Sequence, residues 1–256
     1  MRQLRSPEGG CPWDLEQTHQ SLVPYIIEEV YEVVEAIENN DMEALKGELG
    51  DLLLHIVFHA QLASERKDFD LEDVADALNK KIIQRHPHVF GDAKVESSGQ
   101  VKVNWEAIKM ENEHRSLLSG VPKHLPALLK AYRVQEKSAD VGFEWKDISG
   151  VDEKLAEEMA EFNMARASGE VDMIEEELGD MLFVLVNLGR RLGVNAESAL
   201  NKTVEKFMKR FEYIEKRLAE NGSSPQKSNL EEMDGFYEEF KAKKEKSSFP
   251  EGETPE

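Results

Sequence analysis

Two patterns of carboxylates occur twice in this chain. Glu28-Glu29-Val30-Tyr31-Glu32 recurs as Glu157-Glu158-Met159-Ala160-Glu161, and Glu48-Leu49-Gly50-Asp51 as Glu177-Leu178-Gly179-Asp180, each 129 positions further on. On a helix, residues three apart share a face, so Glu29 and Glu32 point the same way, as do Glu48 and Asp51 and the counterpart pairs of the second copy. Glu29 falls on the row Leu22, Ile26, Glu29, Val33, which otherwise reads as core, and Glu48 and Asp51 precede the apolar run LLLHIVF. Glu177 and Asp180 likewise precede MLFVLV. A helix apolar on all sides is expected to be buried, and its carboxylates with it. Buried carboxylates facing one another repel, and a hard divalent cation with oxygen ligands resolves the conflict. Mg²⁺ fits this chemistry, with Mn²⁺ able to substitute. A lone ExxE is usually a solvated feature of an acidic helix, but paired sets duplicated at one offset point to a divalent-metal site. Once loop-based phosphate binding and nucleophile elbows are excluded, as below, metal-assisted attack of water on phosphorus is the chemistry that remains.

Other residues are weighed against this centre. Glu28 and Glu157 read equally as support for the ligands or as surface charge. His55 and His59 follow Asp51 by one and two turns, but the second copy has Val184 and Leu188 there, so a core or supporting role is favoured. The proline of His86-Pro87-His88 reads as a helix stop. Lys206 and Arg210 share a helix face, as do Lys81 and Arg85, and beside a carboxylate–metal cluster such groups suit phosphate oxygens. Tyr237 suits either base stacking or packing against its own domain.

Composition narrows the field. The chain has 256 residues with 52 Asp+Glu against 32 Lys+Arg, a net charge of −20, which disfavours nucleic acid and anionic membrane as partners. No apolar run reaches the length of a membrane span, and no signal-like stretch opens the chain, so a cytoplasmic location is expected. The single Cys11 excludes an internal disulfide or a cysteine zinc cage. Phosphate-binding GxxxxGK[ST] loops and GxSxG nucleophile elbows are absent.

The elements that must position the acids read as helices throughout. Apolar periodicity predicts helices over 17–38, 41–65, 71–84, 104–118, 125–140, 151–168, 172–192 and 196–220. An amphipathic stretch follows at 230–240, then a polar tail, KEKSSFPEGETPE, that reads as disordered. With no alternating strand pattern, the fold class is all-α: two tandem, duplicated units. The expected division is a first unit at 1–92, a linker with a short helix at 93–125, a catalytic unit at 126–222 and an extension at 223–256.

The tandem EExxE…ELGD units, the opening Gly10-Cys11-Pro12-Trp13-Asp14 with Gln17-Thr18-His19, and Arg85-His86-Pro87-His88-Val89-Phe90-Gly91 resemble the MazG family of two-domain nucleoside triphosphate pyrophosphohydrolases. The resemblance covers residues 4–240. It implies a homodimer, Mg²⁺ dependence, and conversion of nucleoside triphosphates to monophosphate and pyrophosphate, with most activity in the second unit. It also suggests housecleaning of nucleotide pools, with an effect on stress alarmones. By resemblance the metal ligands are Glu158, Glu161, Glu177 and Asp180, and the first-unit ligand positions Glu29, Glu32, Glu48 and Asp51 are all kept. Nucleotide contacts fall on Lys154, Glu157, Glu176, Lys206, Arg210 and Tyr237, the last replacing a family tryptophan. The alternatives are a narrower enzyme for non-standard nucleotides, and an acidic metal-binding interaction protein without catalysis.

Overall fold

The computed structural model describes residues 1–95, 97, 99–101 and 116–248. Most of the helix expected at 104–118, and the end of the tail, lie outside the described residues. Among the described residues all regular structure is helical. The chain divides into two compact units, Met1–Ile108 and Lys109–Glu256.

In the first unit, α1 (Pro12–Glu16) precedes α2 (Val23–Glu38), α3 (Met42–Glu65), α4 (Leu71–Arg85) and the short α5 (Pro87–Phe90). Helix α2 begins six residues later than periodicity suggests, because Thr18 and Ser21 bond each other in a turn ahead of Pro24. The joint between α2 and α3 is tight. Asn40 takes a left-handed φ of 54°, and the Asp41 carboxylate caps α3 by accepting from Glu43 N and Ala44 N. This short loop folds α2 and α3 into a hairpin that brings Glu29 and Glu32 opposite Glu48 and Asp51. Asp70 and Asp73 form a reciprocal capping box that starts α4.

The second unit repeats the design. Helices α6 (Ala127–Asp140), α7 (Ser149–Ser168), α8 (Val171–Arg191) and α9 (Ala196–Glu220) precede α10 (Leu230–Ser248), with short 3₁₀ turns at Leu117–Gly120 and Pro225–Lys227. Gly169, at φ 77°, ends α7 in the left-handed conformation and reverses the chain into α8 within two residues. Helix α6 packs on α8 and α9, and α10 packs on α9.

The first unit's core is Leu22, Phe58 and Leu62, with Met1 against them. Arg5 locks the N-terminal segment over this core. Its Nε and Nη2 hold the Glu65 carboxylate at 2.9 and 2.8 Å, its Nη1 donates to Asp14 O, and its guanidinium lies 5.5 Å from the Phe58 ring centre. The Arg5 side chain is buried, so Arg5→Ala should destabilise the first unit by about 2 kcal/mol, readable as an earlier urea transition. Bonding to Arg5 holds the Glu65 carboxyl below its usual range despite partial burial. A carboxyl depressed on folding stabilises above its unfolded pKa. The penalty of Arg5→Ala should therefore shrink as the pH falls through the carboxylate range.

One expectation does not hold. The run LLLHIVF is not enclosed: His55 and Phe58 are buried, but Leu53, Leu54 and Ile56 are exposed, as are Val30, Val34 and Ile37 on α2. The second unit shows the same with Leu182, Phe183 and Leu185. Each hairpin covers one side of its helices and leaves an apolar side uncovered.

Candidate metal centre

In the second unit, Glu158 and Glu161 project from α7 and Glu177 from α8. Each offers a carboxylate oxygen within 4.8 Å of the others. Glu158 is buried at 4% exposure, Glu161 and Glu177 are half-buried, and Asp180 is exposed one turn beyond Glu177. Burial raises the Glu177 carboxyl above its ordinary value, and the charges of Glu161, Glu158, Asp180 and Glu176 raise it further. Lys154 lies one turn before Glu158 on the same face. Its Nζ is 2.7 Å from Glu158 Oε1 and 2.8 Å from Glu157 Oε1, and those bonds hold the ammonium above the usual lysine range. Glu157 is thus a partner of Lys154 rather than a member of the cluster, and Glu176 is exposed beside Glu177.

The first unit gathers Glu29, Glu48 and Asp51 within the same 4.8 Å limit. Burial and then Asp51 and Glu32 raise Glu29, while burial and then Glu32 and Asp51 raise Glu48, so Glu32 belongs to the same electrostatic cluster. Two substitutions separate the sites. Tyr25 occupies the place of Lys154 and packs edge-on to Trp13 at 5.9 Å. His55 occupies the place of Val184, is buried, and puts Nε2 at 3.8 Å from Glu29 Oε1. His59 instead pairs Nδ1 to Nδ1 with His19 at 2.8 Å, and burial, then His19 and His55, lower its pKa. That pairing bridges 40 residues of sequence, and no local pattern signals it.

These donors suit a hard cation. All are carboxylate oxygens from two facing helices, they carry excess negative charge in a partly desolvated place, and no sulfur joins them. The short loops 39–41 and 169–170 set the register that brings three acids together in each unit, Glu29, Glu48 and Asp51 in the first and Glu158, Glu161 and Glu177 in the second.

A family model described as the MazG nucleotide pyrophosphohydrolase domain matches the chain twice, at residues 17–90 and 149–214. The chain belongs to the MazG family. Both matched segments span the acid pairs. A MazG relative from Escherichia coli K12, named nucleoside triphosphate pyrophosphohydrolase, is 44% identical over 247 residues, covering 94% of each chain. One from Thermotoga maritima, named nucleoside triphosphate pyrophosphohydrolase/pyrophosphatase MazG, is 46% identical over 244 residues, covering 94% of this chain and 92% of its own. A Mycobacterium tuberculosis protein with the first name matches only 134 residues at 37% identity, 51% of this chain and 41% of its own.

Around the second unit's acid cluster the remaining candidates take clear places. Lys206 is exposed on α9, and Arg210, one turn on, is half-buried against Tyr237. The segment before α7 is braced by Arg190 and Arg191 on Glu144, and Arg191 Nη1 donates to Trp145 O at 2.8 Å. The Trp145 indole lies over Gly150, where an added Cβ would fall 2.5 Å from Trp145 Cδ1. Gly150→Ala should therefore expel the indole from the first turn of α7. We expect a shifted tryptophan emission and a loss of about 1–3 kcal/mol in denaturant melts.

Proposed function

We propose that this chain hydrolyses nucleoside triphosphates to the monophosphate and pyrophosphate in its second unit, with Mg²⁺, or Mn²⁺ in its place, held by Glu158, Glu161, Glu177 and Asp180. The observation that carries this reading is the convergence of three carboxylates from α7 and α8, with Lys154 seated on the buried one. When bound, the cation polarises the phosphoryl oxygens and offsets charge on the triphosphate. A carboxylate of the cluster orients the attacking water and takes its proton. The α–β phosphoanhydride bond breaks, the monophosphate gains the water oxygen, and pyrophosphate leaves. Lys154, held cationic by Glu157 and Glu158, supplies positive charge beside the triphosphate, and Lys206 and Arg210 on the neighbouring α9 receive phosphate oxygens.

The uncovered apolar sides of both hairpins favour a homodimer that buries them. Clearance of nucleotide pools, with consequent effects on alarmone levels, is the cellular role this activity would serve.

³¹P NMR of the products from each common nucleoside triphosphate with Mg²⁺ tests the reaction. Pyrophosphate with the monophosphate is the expected outcome. Orthophosphate with the diphosphate would assign the wrong bond. Cation binding without turnover would favour a non-catalytic metal-binding protein.

A further inference from the structure

The sequence leaves Tyr237 suited either to base stacking or to packing against its own domain, and in the structure its ring has occupants from its own unit. The Arg210 guanidinium carbon lies 4.8 Å from the ring centre and Lys241 Nζ 5.1 Å from it. Arg210 Nη1 also donates to the Tyr237 hydroxyl at 2.5 Å. Arg210 Nε is buried and finds no acceptor, and among the described residues no carboxylate pairs with this guanidinium. In a chain of net charge −20, an arginine left without a carboxylate is a group held ready for an anion.

The helix that carries Tyr237 is fastened to α9 just beyond this contact. Glu239 accepts from Tyr213 Oη at 2.8 Å and Arg217 Nε at 3.3 Å, and pairs with Lys243 at 2.9 Å. The hydrogen bonds from Lys243 and Tyr213 hold the Glu239 carboxyl down to about 2, so it stays anionic through the working pH range. Phe240 packs on Tyr213 with ring centres 5.3 Å apart, and Phe236 lies under Arg217 at 5.3 Å. Helix α10 is thereby fixed in register along α9.

We propose that Tyr237 is a positioning residue for Arg210: its hydroxyl and ring fix the guanidinium so that the remaining Nη hydrogens meet a phosphate group of the nucleotide. The inference rests on reading the second unit as a nucleoside triphosphate hydrolase. An unrestrained arginine would lose rotamer freedom on binding phosphate, and the Tyr237 contact removes that loss in advance. Tyr237→Phe keeps the ring and deletes the hydroxyl, so it separates the hydrogen bond from packing.

The test uses the full chain as wild type, Tyr237→Phe, Arg210→Lys and the double variant. Pyrophosphate release with ATP and Mg²⁺ is measured beside the ¹⁵N–¹H cross-peak of Arg210 Nε. For Tyr237→Phe we expect a KM raised about tenfold, a kcat changed less than about twofold, and an Arg210 cross-peak that shifts and exchanges faster. The double variant should be no worse than Arg210→Lys alone. Multiplying losses, an unchanged KM, or an unmoved cross-peak in Tyr237→Phe would each overturn the proposal. Absence of pyrophosphate from wild type would defeat the hydrolase reading instead, and the cross-peak would still decide whether Tyr237 fixes Arg210.

Discussion

Glu158→Gln should release pyrophosphate at less than about one hundredth of the wild-type rate while the helices stay folded. Glu158 is the most buried acid of its cluster, and Lys154 stands 2.7 Å from it. The amide keeps the volume but removes a cation ligand and the anchor that turns Lys154 toward the centre. Glu29→Gln should leave most of the turnover intact. The first unit places Tyr25 where the second has Lys154, so its acids lack an ammonium like the one beside Glu158. Activity and circular dichroism of both variants decide this, and equal losses would overturn the assignment of turnover to the second unit. Cation dependence has a sign. Glu177 is raised on folding, so the folded chain holds that proton more tightly and its contribution to stability is lost as the pH rises through the carboxylate range. A bound cation offsets the repulsion. The rise in Tm on adding Mg²⁺ should therefore be larger near about pH 8 than near about pH 5, and larger in wild type than in Glu158→Gln.

The acids were legible because the information that places them is local. An i, i+3 pair shares a helix face whatever surrounds it, and a fixed offset between two copies argues for one architecture used twice. Helix ends followed the same logic where a cap was written in the chain, as at Asp41 and Asp70. What stayed hidden depends on contacts across long stretches of sequence. Arg5 meets Glu65 across 60 residues, Gln135 reaches Phe183 O across 48, and Arg210 meets Tyr237 across 27. Periodicity marks which side of a helix is apolar but not what covers it. Leu53 and Leu54 were therefore expected inside and lie outside. The sequence likewise left the two clusters alike in ligand types. Their difference rests on neighbours, an ammonium beside Glu158 and an imidazole beside Glu29.

Leu53→Asp and Leu182→Asp should each shift the particle mass from twice 29.1 kDa towards 29.1 kDa in light scattering. These residues are the same position in the two units, 129 apart, and both sit on the uncovered side of their hairpins at 56% and 44% exposure. Leu49, Leu54 and Ile56 adjoin the first, and Leu178, Phe183 and Leu185 the second. Large exposed apolar surface is rare on a monomer, and a second copy of the chain is the occupant we expect on it. A carboxylate placed there keeps the solvated monomer sound and must be desolvated, unpaired, when the faces meet, a penalty of several kcal/mol in a symmetric dimer that carries it twice. Each of these helices also holds acids of a cluster, Glu48 and Asp51 on α3, Glu177 and Asp180 on α8. Separation should therefore lower pyrophosphate release together with mass, and dilution of wild type should reproduce the loss. A variant that stays at the doubled mass would show that these faces are covered in another way, and a monomer with full turnover would show that each α7–α8 hairpin completes its centre alone.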